Sequence, residues 1–377
     1  AAKQFYLKNE HGMYIVAGYP WLNVRGRDEL IALPGCTLAI DHEEDFHLIL
    51  ESFMKALRHN IETGEKDRII NEIDLPDIPL WTIWAIDQYR KYTDTHRCAE
   101  RYADTVRYLV DCIREGEIRN LTLHENGLLS SEGTDSPITW LSASINGSPI
   151  IPRTGYILEF NALWYNALMF LISMLEETKR DAGYAAELKT LADKCKESFV
   201  STFLNDFGYL YDYVNGSYTD LEVRPNMAIA IGLEYSPLDR RQRKKALDFC
   251  TRELLTPKGL RSLSPKSHNY RPVYVGNPTE REYAVHQGPA RPWLFGFYVD
   301  AYFKVFGVSG LSFIERMLIG YEEEMSEGCI GSLSEMYDAN PPYTGRGAVS
   351  TAKNVGQILS SIRAVNRMSK LLSETES

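Results

Sequence analysis

A carboxylate set among aromatic side chains in a glycine- and proline-rich loop is suited to general acid–base chemistry, because such surroundings move its proton affinity toward the working range. Residues 331–347, GSLSEMYDANPPYTGRG, place Glu335 and Asp338 beside Tyr337 and Tyr343 in a loop of this kind. Three other segments carry polar groups that could join them. In AGYPWLNVRGRDELIALPG, Arg27 and Asp28 precede a short helix over Glu29–Leu33. There Asp28 could cap the helix or could hold two hydroxyls of a ligand while other loops fix Arg27; the residues alone favour neither. In DLPDIPLWTIWAI, Asp77 sits ahead of Pro79 as another plausible cap, with Trp81 and Trp84 on nearby helix faces. In REYAVHQGPARPW, His286 and Gln287 precede an apolar helix, and a lone histidine is more often a hydrogen-bonded structural residue than a catalyst.

The stretch DSPITWLSASINGSPIIPRTGYILEFNALWYNAL, from Asp135 to Leu168, passes from a small polar loop holding Trp140 into an aromatic, apolar helix. The loop around Trp140 has no nucleophile–base pair, and its nearest carboxylate, Asp135, lies five residues before the tryptophan. Across the chain there are 23 Tyr and six Trp. Each offers a flat apolar face with a polar edge, which matches the C–H face and hydroxyl rim of a sugar. For any one tyrosine a core position is the simpler reading, but their clustering in loops beside carboxylates and arginines points to a carbohydrate cleft.

The elements that must position these groups are helices. Phe46, Ile49, Leu50, Phe53, Leu57 and Ile61 recur at helical spacing, with Asp41 and Glu44 resembling a capping box ahead of them. Tyr102, Val106, Leu109, Val110 and Ile113 repeat the pattern, as do Leu188, Leu191, Cys195 and Phe199. Between these half-apolar helices lie segments apolar nearly all round: Pro79–Ile86, Asn161–Leu175 and Pro292–Phe306. A helix apolar on every side is covered on every side. The alternation predicts two concentric layers, with roughly ten to twelve helical segments in all. The fold class is therefore all-α, an (α/α) toroid of helical hairpins, with an open α-solenoid as the alternative; no repeat of fixed period supports the solenoid. Four long linkers (17–27, 126–155, 257–291 and 328–346) carry Trp, Tyr and His, and are expected together over one end as pocket walls, with short hairpins such as 209–213. No linker is both polar and free of aromatics, so residues 1–377 read as one domain.

Composition narrows the function. The net charge of −10 argues against a nucleic-acid groove, which needs clustered Lys and Arg. The most apolar stretch, Ala162 to Leu175, is interrupted by Asn166 and Ser173 and reads as a core helix rather than a membrane span. The six cysteines are scattered, without CxxC or Cys/His clusters, so no zinc site is expected, and there is no calcium-binding D-x-D-x-D-G loop. No metal or organic cofactor is implied. The scattered thiols suggest a reducing, cytoplasmic compartment.

The strings AGYPW, GRD-x-x-IALPG, PLW, TW, E-x-NALWYNAL, RPN, GLRSLSP, HQG, SE-x-YD and PP-x-x-x-RG occur in that order. Together they resemble the C-terminal catalytic domain of glycogen debranching enzymes, the amylo-α-1,6-glucosidase module of archaeal and bacterial type. The resemblance runs over essentially the whole chain. It implies an (α/α)6 toroid with long loops and short hairpins over one end. In that family an N-terminal β-rich domain normally precedes such a module, so the chain reads as a fragment. It further implies inverting hydrolysis of α-1,6-linked glucose at branch stubs of glycogen or limit dextrin, with α-glucans as partners. Glu335 would be the general base, and Arg27, Asp28, Asp77, Trp81, Arg153, Glu159, His286 and Gln287 match pocket positions, with Trp140, Tyr337 and Asp338 beside them. Where the family has T-W-M-D with aspartate as general acid, this chain has Thr139, Trp140, Leu141 and Ser142. A serine hydroxyl is too weak an acid to protonate a leaving oxygen near neutral pH. Three readings follow: a hydrolase whose acid is Asp135 or Glu159, an α-glucan-binding protein without turnover, or a glycosidase of shifted substrate with a relocated acid.

Overall fold

The computed structural model describes residues 1–376. Among these described residues there are twelve α-helices: α1 (Gly26–Cys36), α2 (Glu43–Thr63), α3 (Ile78–Tyr92), α4 (Thr95–Arg114), α5 (Leu158–Thr178), α6 (Ala182–Phe203), α7 (Asn226–Gly232), α8 (Arg240–Leu254), α9 (Pro278–Ala284), α10 (Pro292–Phe306), α11 (Leu311–Ile319) and α12 (Ala352–Glu376). Helices α1, α3, α5, α7, α10 and α12 pack side by side in that cyclic order, and α12 returns against α1. This is the inner ring. Every residue of α1 and α7 is buried, as expected for helices covered all round. Helices α2, α4, α6, α8 and α11 pack outside it and bury only one face. The expected (α/α)6 toroid is thus the fold.

Local sequence starts several of these helices where they are needed. Asp94 accepts a hydrogen bond from the Arg97 N–H (2.8 Å) at the head of α4. Asp239 and Gln242 form a reciprocal capping box on α8, and Asn277 and Glu280 do the same on α9. The box expected from Asp41 and Glu44 does not form: Asp41 adopts a left-handed backbone conformation, His42 stands at the N-cap of α2, and no side chain caps it. Instead the Asp41 carboxylate accepts from Arg363 of α12 (2.6 Å).

Helix α5 has 21 residues and is long and apolar enough to cross a bilayer, longer than the apolar run in the sequence suggests. The fold uses that length differently. Of its most apolar 18-residue window, 89% is buried inside the protein, between α4 and α6 outside and α3 and α7 beside it.

The inner ring closes through a contact only glycine allows. A Cβ on Gly35 of α1 would lie 1.8 Å from the Gly356 carbonyl oxygen of α12, and a Cβ on Gly356 would lie 2.7 Å from the Ala32 carbonyl. The two backbones therefore touch, and residues more than 300 positions apart are brought together.

The loops gather at the end where the inner helices begin. One antiparallel sheet runs in the order Leu255–Thr256, Gly259–Arg261, Ala290–Arg291, Met336–Tyr337 and Gly345–Arg346. A second runs Tyr218–Thr219, Tyr213–Asn215, Gly155–Ile157, Leu129–Ser131 and Thr122–Leu123. Ser350–Thr351 pairs with Gly18–Tyr19, and Ser144–Ile145 with Ser148–Pro149. The hairpin expected at 209–213 lies later, at 213–219, because Gly216 provides the positive φ its turn needs. Strands lead directly into α5, α10 and α12, so the sheets hold the N-termini of these helices in place.

Replacing Gly35 with Ala should destabilise the fold by about 1–3 kcal/mol, the usual cost of overpacking a tight core contact. Urea unfolding of the variant against wild type measures it. An unchanged midpoint would mean the α1–α12 seam is looser than the contact implies.

Candidate active site

Each inner helix delivers a polar residue at its N-terminal end. Arg27 and Asp28 come from the first turn of α1, Asp77 immediately precedes α3, Glu159 starts α5, Asn226 starts α7, Arg291 immediately precedes α10 and Lys353 starts α12. They meet in buried pairs and one chain of contacts. Arg27 binds Asp77 through Nε (2.5 Å) and Nη2 (2.9 Å), and Nη2 also donates to the Ile138 carbonyl (3.2 Å). Asp77 further accepts from Trp81 Nε1 (3.0 Å). Asp77 does stand at the N-cap of α3, yet its carboxylate caps no backbone N–H. Asp28 is not a cap either: α1 begins at Gly26 with Arg25 as N-cap, so Asp28 lies within the first turn. Its carboxylate takes Lys353 Nζ at 2.8 Å. Burial works most strongly against ionisation of Asp28, but the charge and hydrogen bond of Lys353, together with the charges of Arg25 and Arg27, outweigh it and hold the carboxyl below its usual range.

On the opposite side a buried chain of charges supports Trp140. Its Nε1 donates to Asn226 Oδ1 (2.7 Å), and Asn226 Nδ2 donates to Asp212 Oδ1 (2.6 Å). Asp212 Oδ2 lies 2.7 Å from Arg153 Nε, and Arg153 binds both oxygens of Glu159 (2.5 and 2.7 Å). Burial raises the Glu159 proton affinity against the charge of Arg153. With both oxygens on one guanidinium, Glu159 is a positioning group for Arg153, and the expectation that it donates the leaving-group proton is corrected on that ground. Asp135, the other expected donor, is solvent-exposed.

Trp140 itself is 6% exposed. His286 and Trp293 meet its ring nearly at right angles, at 5.3 and 5.4 Å. The ring is thus largely packed as a wall. His286 Nδ1 faces Arg291 Nη2 at 3.1 Å. Burial first, and then the charges of Arg291, Lys353, Arg224 and Arg27, hold its imidazole well below the ordinary range and therefore neutral. Gln287 accepts from Arg224 Nη2 (3.0 Å) through Oε1.

Glu335 differs from the other carboxylates. Its Oε2 accepts from the Ala348 N–H (3.1 Å), its Oε1 lies 3.7 Å from Arg291 Nη1, and its side chain is 22% exposed. The neighbouring Gly347 has φ +70°, and a Cβ there would lie 2.4 Å from Glu335 Oε2, so glycine leaves the carboxylate its room. The backbone carbonyls of Ser334 and Glu335 are anchored by Asn354 Nδ2 (2.6 and 3.2 Å), and Asn354 Oδ1 accepts from Trp293 N–H (3.1 Å). Asp338 is fully occupied, taking Arg346 twice on Oδ2 and the Tyr274 N–H on Oδ1. The Tyr337 ring is buried, and its hydroxyl accepts from the Ser334 N–H (3.2 Å). Tyr337 and Asp338 are thereby corrected from sugar contacts to the scaffold that shapes the Glu335 loop. Ser142 is exposed on the loop that carries Trp140.

Arg291, Lys353 and Asp212 join the site without having been singled out in the sequence, and Asn226 was seen there only as the last residue of the RPN string. Lys353 meets Asp28 across 325 residues, and no local spacing signals such a pair.

The sequence model described as amylo-alpha-1,6-glucosidase matches residues 1–360. A glycogen debranching enzyme of Saccharomyces cerevisiae is 26% identical over 190 residues, covering 41% of this chain and 12% of that protein. The chain thus spans only a small part of that relative's length. Among solved structures, the GH63 mannosylglycerate hydrolase from Thermus thermophilus in complex with Tris superposes with a TM-score of 0.65 at 13% identity, over 96% of this chain and 99% of that one. The same hydrolase in complex with glucose gives 0.66 at 13% identity, over 96% and 98%. At that identity the likeness concerns the fold.

Two outcomes follow from the buried charges. Asp77→Asn leaves Arg27 charged and without its partner, which should cost about 3–5 kcal/mol of stability in urea unfolding. His286 binds no proton when folded but does when unfolded, so the unfolded state gains protons as pH falls. Its contribution to stability is present above its ordinary value of 6.5 and lost below it. His286→Gln should flatten part of the fall in melting temperature below that pH, and an unchanged slope would show that His286 titrates normally. The matched sequence model over nearly the whole length, together with the toroid fold, identifies the chain as a member of the amylo-α-1,6-glucosidase family and a glycoside hydrolase of that type.

Proposed function

We propose that this chain hydrolyses α-1,6-linked glucose at branch stubs of glycogen or limit dextrin, with inversion at the anomeric carbon and Glu335 as general base. The observation that carries the reading is the state of Glu335. Asp77, Asp28, Glu159 and Asp338 each hold a cation at 2.9 Å or less, whereas Glu335 stands 3.7 Å from Arg291 and remains partly open. An open carboxylate oriented by a backbone N–H can take a proton from an attacking water. Family membership supports a carbohydrate substrate, and the α-1,6-glucan within it is our reading. We place the activity in cytoplasmic glycogen breakdown, in keeping with five buried free thiols.

A second reading, binding of α-glucan without turnover, is favoured by one observation: the loop position where the family's acid is expected holds the exposed hydroxyl of Ser142. Incubation with a branched limit dextrin separates the two. Release of free glucose, formed first as the β anomer, supports hydrolysis. Affinity for malto-oligosaccharides with no hydrolysis supports binding alone.

Glu335→Gln keeps the shape of the side chain and should lower kcat by about 10²–10⁴-fold, the usual effect of losing a general base. Full activity in that variant would assign the base to another carboxylate.

A further inference from the structure

The missing acid at position 142 leaves the reaction without an obvious proton donor, and one carboxylate outside the resemblance stands close to the gap. Glu282 lies on α9, in the segment that leads to His286. Its Oε1 accepts a hydrogen bond from the Ser144 N–H at 3.0 Å. Ser144 is two residues beyond Ser142, so the Glu282 carboxyl is within about 9 Å of the Ser142 Cα by chain geometry alone.

The placement is built. Helix α9 starts at the Asn277–Glu280 capping box. Just after it, Val285 packs with Ala143 of the Trp140 loop and with Met336, the neighbour of Glu335. The next residue, His286, meets Trp140 at 5.3 Å. The turn that follows α9 therefore sits where the Trp140 loop, the Glu335 loop and the strand leading into α10 meet, and Glu282, three residues before Val285, reaches the Trp140 loop through Ser144. Its side chain is part-buried, and Oε2 carries no hydrogen bond among the described residues.

We propose that Glu282 is the general acid of this enzyme, taking the place of the carboxylate that Ser142 lacks. This rests on the reading of Glu335 as base. In the step, the Glu282 proton passes to the glycosidic oxygen as the bond from that oxygen to the anomeric carbon breaks. Water forms a new bond to the anomeric carbon from the opposite face and gives its proton to Glu335. Glu282 ends as carboxylate and Glu335 as carboxylic acid, and exchange with solvent restores both.

The test uses two substrates, a branched limit dextrin and α-glucosyl fluoride, whose leaving group needs little protonation. Glu282→Gln retains an oxygen for the Ser144 N–H, so the loop stays in place. It should lose about 10²–10⁴-fold in kcat/KM on dextrin while keeping fluoride hydrolysis, which also reports that the variant is folded. Unchanged dextrin activity overturns the proposal, and so does an equal loss on both substrates, which would make Glu282 a positioning residue. Wild-type protein that cleaves the fluoride but not the dextrin overturns the acid assignment and leaves Glu335 standing. Wild-type protein inert to both overturns the acid assignment together with the proposed function.

Discussion

Six inner helices running in one direction, with their N-termini converging, are the constraint on which everything else in this protein depends. Alternating inner and outer helices forces that arrangement, since each outer helix carries the chain back to start the next inner one. The closing seam between α1 and α12 requires backbone contact, met by Gly35 and Gly356. Once the ring closes, the first turns of six helices face one another, and their unpaired N–H groups favour negative charge there. Asp28, Asp77 and Glu159 stand at those helix starts, so the fold gathers carboxylates before any loop is considered.

Gathered carboxylates would repel one another in a dry setting, and the site offsets this with cations in fixed geometry. Arg27 meets Asp77, Lys353 meets Asp28, and Arg153 meets both Glu159 and Asp212. Breaking such a pair exposes the uncompensated partner, which costs far more than the intact pair contributes. These pairs thus serve as fixed posts that orient the loops, and Trp140 hangs from one of them through Asn226. Glu335 is excepted from this saturation. Its nearest cation is farther away, its side chain reaches solvent, and Gly347 keeps its space clear. A carboxylate that is oriented without being neutralised by a close partner is what base chemistry needs.

The loop bearing Ser142 is held in place by contacts that do not involve that serine. Trp140 is held by an indole hydrogen bond and by two perpendicular rings, none of which involves position 142. The contacts that set the path of the loop therefore lie at Trp140 and not at position 142.

The helical periods of α2, α4 and α6, the fully apolar inner helices and the two-layer toroid were legible in the sequence, because burial on one face or on all faces writes directly into residue spacing. The aromatic loop carrying Glu335 was legible from its composition, and the serine at 142 only through the resemblance of the strings around it. The partners were not. Asp28 and Asp77 read as caps or ligands, but the cations that claim them come from elsewhere: Arg27 pairs with Asp77 across 50 residues and Lys353 with Asp28 across 325. Tyr337 and Asp338 read as pocket walls, yet the Ser334 N–H, the Tyr274 N–H and Arg346 turn them inward. By itself, then, the sequence determined the layers, the helix positions and the residue types brought to the mouth of the ring. Which carboxylates are locked in pairs and which one stays open was decided only by ring closure, since pairing is a matter of distance in space and periodicity records only position along the chain.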